Sequence, residues 1–402
     1  MIVKHSEEFS KYFLEIENKL SIPQTKHVLD MVSSLITTES KKTVSGLSRT
    51  ILRNVDRSNR ARFLTKSPWD EETLNKSRVS HSLKAILEEA RKSKSAPIFL
   101  SVDDTLITKS CKRDKIEGIS KQYSHVTGKY EWCHTLVSMQ AKCSNLSLPL
   151  NFKIYKTEEF SSEKGTDFLS KNDLVIELLN EIPFKETNPM YLLMDSWYSS
   201  SKLIMEALSK GIYAITPLKS NRIIYPDGVG INIKTFAESI DKQELNLVTV
   251  KGTDYYTLRY EGHLNDIPNA VVLISYKVKN GNLLEPMYIL TTDIEISAEQ
   301  IIEYYLNRWE IEVSFRYQKE SLGLDHPQMR TLKGLKRFWI LVYIAHNFLV
   351  FELHKLQKTN IGEIIREQKS KSLTNMILFI CELKDSNIKS DEIVKYFVKT
   401  AV

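Results

Sequence analysis

Two short apolar runs of the chain end in acidic residues. Ile98–Val102 is followed by Asp103 and Asp104, and Met190–Met194 is followed by Asp195. Because carboxylate oxygens are the ligands that Mg²⁺ prefers, acids at the ends of buried strands are candidates for a divalent metal site. Successive strand residues point to opposite faces of a sheet, so only one of Asp103 and Asp104 can face the same site as Asp195.

A third acidic residue belongs to a segment that begins at Ser297 and is predicted to be helical through about Leu322. Four polar residues of this segment fall within an arc of about 60°, along roughly 21 Å of helix axis. They are Tyr305, Arg308, Glu312 and Lys319. A phenol, a guanidinium, a carboxylate and an ammonium aligned in this way suit contact with phosphate groups and a divalent cation. An ordinary surface helix with an ion pair would also explain the spacing of Arg308 and Glu312.

Predicted strands and helices alternate between these acids. Periodicity predicts strands at 98–102, 130–143, 148–155, 190–194 and 212–217, and helices at 168–182 and 200–209. The order is β-β-β-α-β-α-β, with Asp103 and Asp195 at the carboxyl ends of the first and fourth strands. Turn signals such as Pro226-Asp227-Gly228 separate alternating runs, which predicts a β-rich insertion at 218–295.

Basic residues are concentrated near the N-terminus. The chain carries 56 Lys and Arg against 50 Asp and Glu, and the predicted helical segment 1–95 holds the whole excess. Arginines recur there at intervals of four, four and three residues, which predicts one basic helix face, formed by Arg49, Arg53, Arg57 and Arg60. Such a face can neutralise successive phosphates of a nucleic-acid duplex, although a solvated helix face is an equally good interpretation.

Composition limits the class of protein. The chain has 402 residues, of which 42% are hydrophobic and 26% charged, as expected for a soluble globular protein of two or three domains. Its four cysteines include no Cys-x-x-Cys pair, so we expect neither a disulfide scaffold nor a structural zinc site. No signal peptide is evident, and the longest apolar run, Phe338–Phe351, is too short to span a bilayer. We therefore expect a cytoplasmic protein in which this run forms a core helix or a dimer contact.

Three motifs together resemble the insertion-sequence transposases of the DDE class that carry the Tyr-Arg-Glu-Lys (YREK) signature. They are Asp103-Asp104-Thr105, Asp195-Ser196-Trp197-Tyr198, and Tyr305-Leu306-Asn307-Arg308-Trp309-Glu310-Ile311-Glu312 followed by Lys319. The resemblance runs from about residue 67 to about residue 323. It implies a ribonuclease-H-like α/β fold, in which a mixed five-stranded sheet carries helices on both faces and a β-rich insertion precedes the glutamate.

The resemblance also implies the chemistry. The three acids of the family hold two Mg²⁺ ions, for which Mn²⁺ is expected to substitute, roughly 3.5–4 Å apart. Asp103 would bridge both ions, with Asp104 as the alternative, while Asp195 and Glu312 would each bind one. Arg308 and Tyr305 would hold the phosphate beside the scissile bond, and Lys319 a flanking phosphate. In relatives the insertion supplies a tryptophan that stacks on a flipped base. This insertion has none, and Tyr255, Tyr256 or Tyr260 is the alternative.

The predicted function is therefore that of a prokaryotic DNA transposase. It would act in the cytoplasm as a homodimer on double-stranded DNA, cutting the terminal inverted repeats of its element and joining the 3′-OH to target DNA. The alternatives are an inactive or domesticated DNA-binding relative and a nuclease that only hydrolyses. Five segments are expected: a helical DNA-binding domain at 1–95, the catalytic core at 96–217 and 296–335, the insertion at 218–295 and a helical tail at 336–402.

Overall fold

An 11-stranded mixed β-sheet runs through the computed structural model, which describes residues 1–16, 19–52, 56–93, 95–110, 115–182, 188–264 and 266–401. Helices from both ends of the chain pack against this sheet. The N-terminal part is helical, as predicted, and its elements are α1 (Glu7–Glu15), α2 (Ile22–Thr37), α3 (Val44–Ser48), α4 (Arg57–Thr65) and α5 (Glu71–Lys92). Asp56 and Asp70 accept backbone hydrogen bonds at the starts of α4 and α5, which fixes where these two helices begin.

The next part of the chain forms one half of the sheet. Its strands are β1 (Ile98–Thr108), β2 (Ser120–Ser124), β3 (Lys129–Cys143), β4 (Leu146–Tyr155), β5 (Met190–Leu193) and β6 (Tyr213–Pro217). Its helices are α6 (Glu158–Lys164), α7 (Lys171–Asn180) and α8 (Ser201–Ser209). The order β4-β3-β1-β5-β6 has antiparallel pairs among the first three strands and parallel pairs from β1 to β6. This mixed arrangement is consistent with the predicted ribonuclease-H-like fold.

Residues 218–295 are rich in strands, as their turn signals predict. They contain β7 (Ile223–Ile224), β8 (Ile231–Asn232), α9 (Ile233–Ser239), β9 (Asn246–Val250), β10 (Thr253–Leu264), β11 (Ile267–Lys279), β12 (Asn282–Leu283) and β13 (Met287–Thr291). Because β13 pairs with β6, most of these strands continue the central sheet in the order β13-β11-β10-β9. Tyr260 packs against Phe236, and its hydroxyl accepts a hydrogen bond from the N–H of Tyr225.

The segment after β13 departs from the predicted single helix. It forms α10 (Ala298–Leu306), α11 (Trp309–Arg316) and a π-helical turn over Tyr317–Ser321. At the junction, the N–H of Arg308 bonds to the carbonyl three residues before it, and the Asn307 side chain donates to two carbonyls of α10. A side-chain amide that competes for backbone carbonyls tightens a helix locally. The backbone nevertheless keeps right-handed helical angles through Asn307 and Arg308.

Three further helices complete the described chain, namely α12 (Leu332–Lys355), α13 (Ile361–Asp385) and α14 (Ser390–Ala401). The apolar run Phe338–Phe351 lies in α12, which is buried against α2, α4, α5, α13 and β4. The run is therefore a core helix, and its surface is already covered within the chain. Of the helices in the described ranges, none is both long and apolar enough to cross a membrane.

Candidate active site

The parallel pairing of β1 with β5 brings Asp103 and Asp195 together. The prediction that Asp103 follows the end of its strand is wrong, because β1 continues to Thr108, whereas Asp195 does follow β5. Ser101 lies opposite Leu193, so the same register carried two residues further places Asp103 level with Asp195. The side chain of Asp195 turns back on its own loop, where Oδ1 accepts hydrogen bonds from the N–H groups of Trp197 (2.9 Å) and Tyr198 (3.2 Å). This turn fixes the loop that carries the second acid.

Asp103 and Asp104 have different partners, as the alternation of side chains along a strand requires. Oδ2 of Asp103 lies 3.2 Å from the guanidinium of Arg308. Asp104 instead pairs with Lys171, whose Nζ is 2.9 Å from Oδ2, and accepts a hydrogen bond of 2.8 Å from the Tyr198 hydroxyl. Asp103 therefore faces the helix that carries Glu312, and Asp104 is held by structural contacts.

Arg308 connects two of the three predicted acids. One nitrogen of its guanidinium contacts Asp103, and another lies 2.5 Å from Oε1 of Glu312. The same group lies over the ring of Tyr305, 6.0 Å from the ring centroid. One cation thus links the middle of β1 to α11, and it places Tyr305 and Glu312 beside Asp103.

Burial perturbs the ionisable groups of this cluster. It raises the pKa of Asp103 to about 7, and the nearby carboxylates of Asp195 and Asp104 act in the same direction. The hydrogen bond from the Asp104 N–H and the charge of Arg308 oppose this rise without cancelling it. Burial also raises the pKa of Tyr305, so its hydroxyl stays protonated and able to donate. Desolvation of the Asp103 carboxyl therefore outweighs the positive charge that Arg308 places beside it.

Lys319 lies on the π-helical turn and reaches β1 rather than solvent. Its ammonium donates a 2.9 Å hydrogen bond to the carbonyl oxygen of Leu106, and burial lowers its pKa. Arg308 and Lys319 therefore both contact β1, although the helix between them is not regular. The structure places Lys319 beside the site as an anchor of the helix.

The donor set suits a divalent cation in its chemistry. Three carboxylates are hard oxygen ligands, and a bound cation would stabilise the ionised form of Asp103, which burial disfavours. Within the described ranges, however, no three acidic, histidine or cysteine side chains are grouped so that they could hold a metal ion. Arg308 instead contacts both Asp103 and Glu312. Ion binding through all three acids therefore requires a rearrangement around this arginine.

The predicted basic face near the N-terminus is wrong as a single helix face. Arg49 ends α3, whereas Arg57 is the first residue of α4, because Asp56 caps a new helix there. Arg60 is buried, with 2% of its surface exposed. Arg53 lies outside the described residues. Arg49 and Arg57 remain exposed and available for contact with a polyanion.

Two residues that contact the candidate site have no role predicted from the sequence. Lys171, at the start of α7, holds Asp104 and also lies 4.9 Å from the ring centroid of Trp197. Tyr198 is fully buried and joins the loop after Asp195 to β1. The sequence does indicate that such partners exist, because Asp103 and Asp104 are adjacent and the one that faces away from the site needs a partner of its own.

The family model of the DDE superfamily endonucleases matches residues 19–235, and the chain belongs to this family. The matched range includes Asp103 and Asp195 and ends before the helix that carries Glu312. No match was found among curated proteins. The family supports a nuclease of the transposase type, and its members generally use divalent metal ions.

Proposed function

We propose that the protein is the transposase of an insertion sequence. It cuts double-stranded DNA at the terminal inverted repeats of its element and joins the 3′-OH to target DNA by two-metal phosphoryl transfer, acting as a homodimer in the DNA complex. The observation that carries this proposal is that Asp103 of β1 lies level with Asp195, which follows the adjacent parallel strand β5, and that Glu312 is linked to Asp103 through Arg308.

Each side chain has a part in this chemistry. Asp103, Asp195 and Glu312 would hold the divalent ions, which when bound activate the attacking oxygen and neutralise charge on the phosphate. Tyr305 keeps its proton and can donate a hydrogen bond to a phosphate oxygen. Arg308 has a planar fork of donors that suits bidentate phosphate contact.

The ion pairs of Arg308 indicate how the site with bound metal ions would differ from the site without them. Burial alone would lower the pKa of Arg308, but Tyr305, Glu312 and Asp103 raise it above its ordinary value, so the group stays charged. Without bound cations, this guanidinium is the counter-ion of two acids. With ions held by Asp103 and Glu312, the donors of Arg308 would be free to bind a DNA phosphate, which would supply negative charge in place of the two acids.

The test uses a plasmid that carries the DNA flanking the gene, with Mg²⁺ in the buffer. We expect Asp103→Asn, Asp195→Asn and Glu312→Gln each to lower the cleavage rate by about a thousandfold or more, while binding of the same DNA is retained. Glu310→Gln is the matched control, because Glu310 lies on the same helix but pairs with Lys142 of β3 at 2.7 Å. Undiminished cleavage by all three acid variants would exclude the proposed site.

A second experiment separates transposition from hydrolysis alone. Pre-cut ends with a free 3′-OH are incubated with a supercoiled target plasmid, and joined products are measured. Joined product supports the transposase, whereas cut ends without joined product indicate a hydrolytic nuclease. Because Arg308 already contacts two of the acids, a non-catalytic DNA-binding protein is the other candidate. Retarded DNA in a gel without cleavage in the same tube would identify it.

A further inference from the structure

Part of β2 and β3 leaves the central sheet as a two-stranded ribbon, defined here as residues 120–133. Ser120–Ser124 pairs with Lys129–Cys133. β1 pairs with β3 only from Cys133 onward, where Thr108 ends the strand. Of the described strands, β2 alone therefore pairs with residues 129–132 of β3.

The ribbon projects from the end of the sheet at which the acids lie. Asp103 is opposite Ser138 of β3, and Lys129 at the ribbon tip comes nine residues earlier in the same strand. At about 3.3 Å per residue, the tip lies roughly 30 Å beyond Asp103 in the direction of the carboxyl end of β1. This distance corresponds to about nine base pairs of duplex DNA.

The surface of the ribbon is aromatic and basic. Tyr123 and Tyr130 face each other across the strands, with ring centroids 5.4 Å apart, and are 45% and 71% exposed. His125 contacts the Tyr123 ring at the turn. Lys121 and Lys129 are exposed, and the ribbon contains one acidic residue, Glu131, opposite Gln122.

We propose that this ribbon is a second DNA-binding element, which contacts the duplex about nine base pairs from the cleaved phosphate. A two-stranded ribbon fits the width of the major groove, where Lys121 and Lys129 reach phosphates and the tyrosine pair packs against sugars and bases. Two lysines against one glutamate leave the ribbon with a net positive charge, which together with exposed aromatic rings favours a polyanion with flat apolar faces over a protein partner. This inference rests on the proposed function, because the duplex that the ribbon would contact is the DNA that the proposed transposase cuts.

The alternative to DNA binding is that the tyrosine pair only stabilises the hairpin. Cross-strand aromatic pairs do so by a few tenths of a kcal/mol to about 1 kcal/mol. That role explains why Tyr123 and Tyr130 face each other, and Lys121 lies over the ring of Trp132, 5.6 Å from its centroid, but neither contact gives a role to Lys129. The lysine positions therefore separate the two explanations without disturbing the aromatic contact.

The experiment measures equilibrium binding of the flanking-DNA duplex by the full chain in EDTA, across a range of salt concentrations. We expect Lys121→Gln combined with Lys129→Gln to weaken binding by about tenfold and to reduce the salt slope by about 2. Lys251→Gln combined with Lys279→Gln is the matched control, because it removes two exposed lysines from hairpins of the β9–β12 region. Hydroxyl-radical footprints should lose protection about nine base pairs from the cut site only in the ribbon variant.

The outcomes of this experiment distinguish failure of the ribbon proposal from failure of the proposed function. Binding and footprints of the ribbon variant that equal those of the control variant overturn the DNA-binding role of the ribbon, even if the wild-type protein cuts DNA. Tyr130→Ala, with Tyr130→Phe as its conservative partner, should weaken binding by about fivefold with an unchanged melting temperature. A fall in melting temperature without loss of affinity would assign the pair to hairpin stability. Wild-type protein that binds no flanking DNA would overturn the proposed function as well.

Discussion

Two arginines of this protein, the buried Arg337 and the half-buried Arg308, have opposite surroundings. Arg337 of α12 has no exposed surface and donates to Glu71 and to the carbonyls of Phe63, Leu64 and Trp69. Its guanidinium also stacks over the Trp69 ring at 4.4 Å. Every nitrogen of Arg337 has a partner, and one carboxylate balances its charge.

Arg308 is the counterpart in the candidate site. It remains 15% exposed and is shared by two carboxylates, yet the pKa of Asp103 still rises to about 7. The two arginines therefore differ in how far the carboxylates around them are balanced by positive charge. Around Arg337 the charges are balanced within the chain, whereas around Arg308 acidic charge exceeds basic charge, and a cation from solution can complete the balance.

The largest expected effect that tests this contrast is on stability. Replacing Arg337 by Met removes the cation that holds α12 to the turn before α5 and leaves Glu71 and several carbonyls unpaired. We expect the free energy of unfolding, measured by denaturant titration, to fall by about 3–5 kcal/mol. Arg308→Met is the control and should cost about 1 kcal/mol or less, because Asp103 can bind a proton. A larger loss for Arg308→Met than for Arg337→Met would contradict the contrast.

The second expected effect is a pH dependence that arises from Asp103. Between about pH 4 and pH 7 the folded protein keeps a proton on this carboxyl that the unfolded chain, with an ordinary pKa of 3.8, releases. The folded state then binds more protons, so the contribution of Asp103 to the free energy of unfolding falls as pH rises through this window and is constant above it. We expect a fall of about 2–4 kcal/mol in metal-free protein.

Asp103→Asn provides the matched comparison, since amide and carboxyl have nearly the same shape. Denaturant titrations at several pH values in EDTA should give a smaller decline for the variant than for the wild type. Equal declines in the two proteins would mean that Asp103 ionises normally and that the site carries no excess of negative charge.

The smallest expected effect comes from Tyr198, the residue that joins the second acid's loop to β1. Burial raises the pKa of Tyr198 well above its usual range, so its hydroxyl donates to Asp104 at any working pH. Tyr198→Phe removes this bond but leaves the 2.9 Å ion pair of Asp104 with Lys171. We expect a loss of about 1.5 kcal/mol in unfolding free energy and a cleavage rate that falls less than tenfold. A cleavage loss as large as that of Asp195→Asn would instead place Tyr198 in the chemistry itself.

Local patterns predicted much of the fold. Strand alternation required Asp103 and Asp104 to have different partners, and apolar runs located β1, β5 and the buried helix α12. Both signals depend on residues close together in sequence, for which periodicity is a direct physical guide. The helix that carries Glu312 was predicted in position but not in its break at Asn307, because that break depends on side-chain hydrogen bonds to the backbone.

The sequence by itself determined which residue types stand at the ends of the strands and on the helix that follows β13. Only the tertiary structure decided how they combine. It gave Arg308 two acids, tied Lys319 to Leu106, buried Arg60 and separated Arg49 from Arg57. Those outcomes depend on contacts between residues far apart in the chain and on burial, which sets the balance between desolvation and charge pairing. A local sequence pattern does not determine the balance between desolvation and charge pairing.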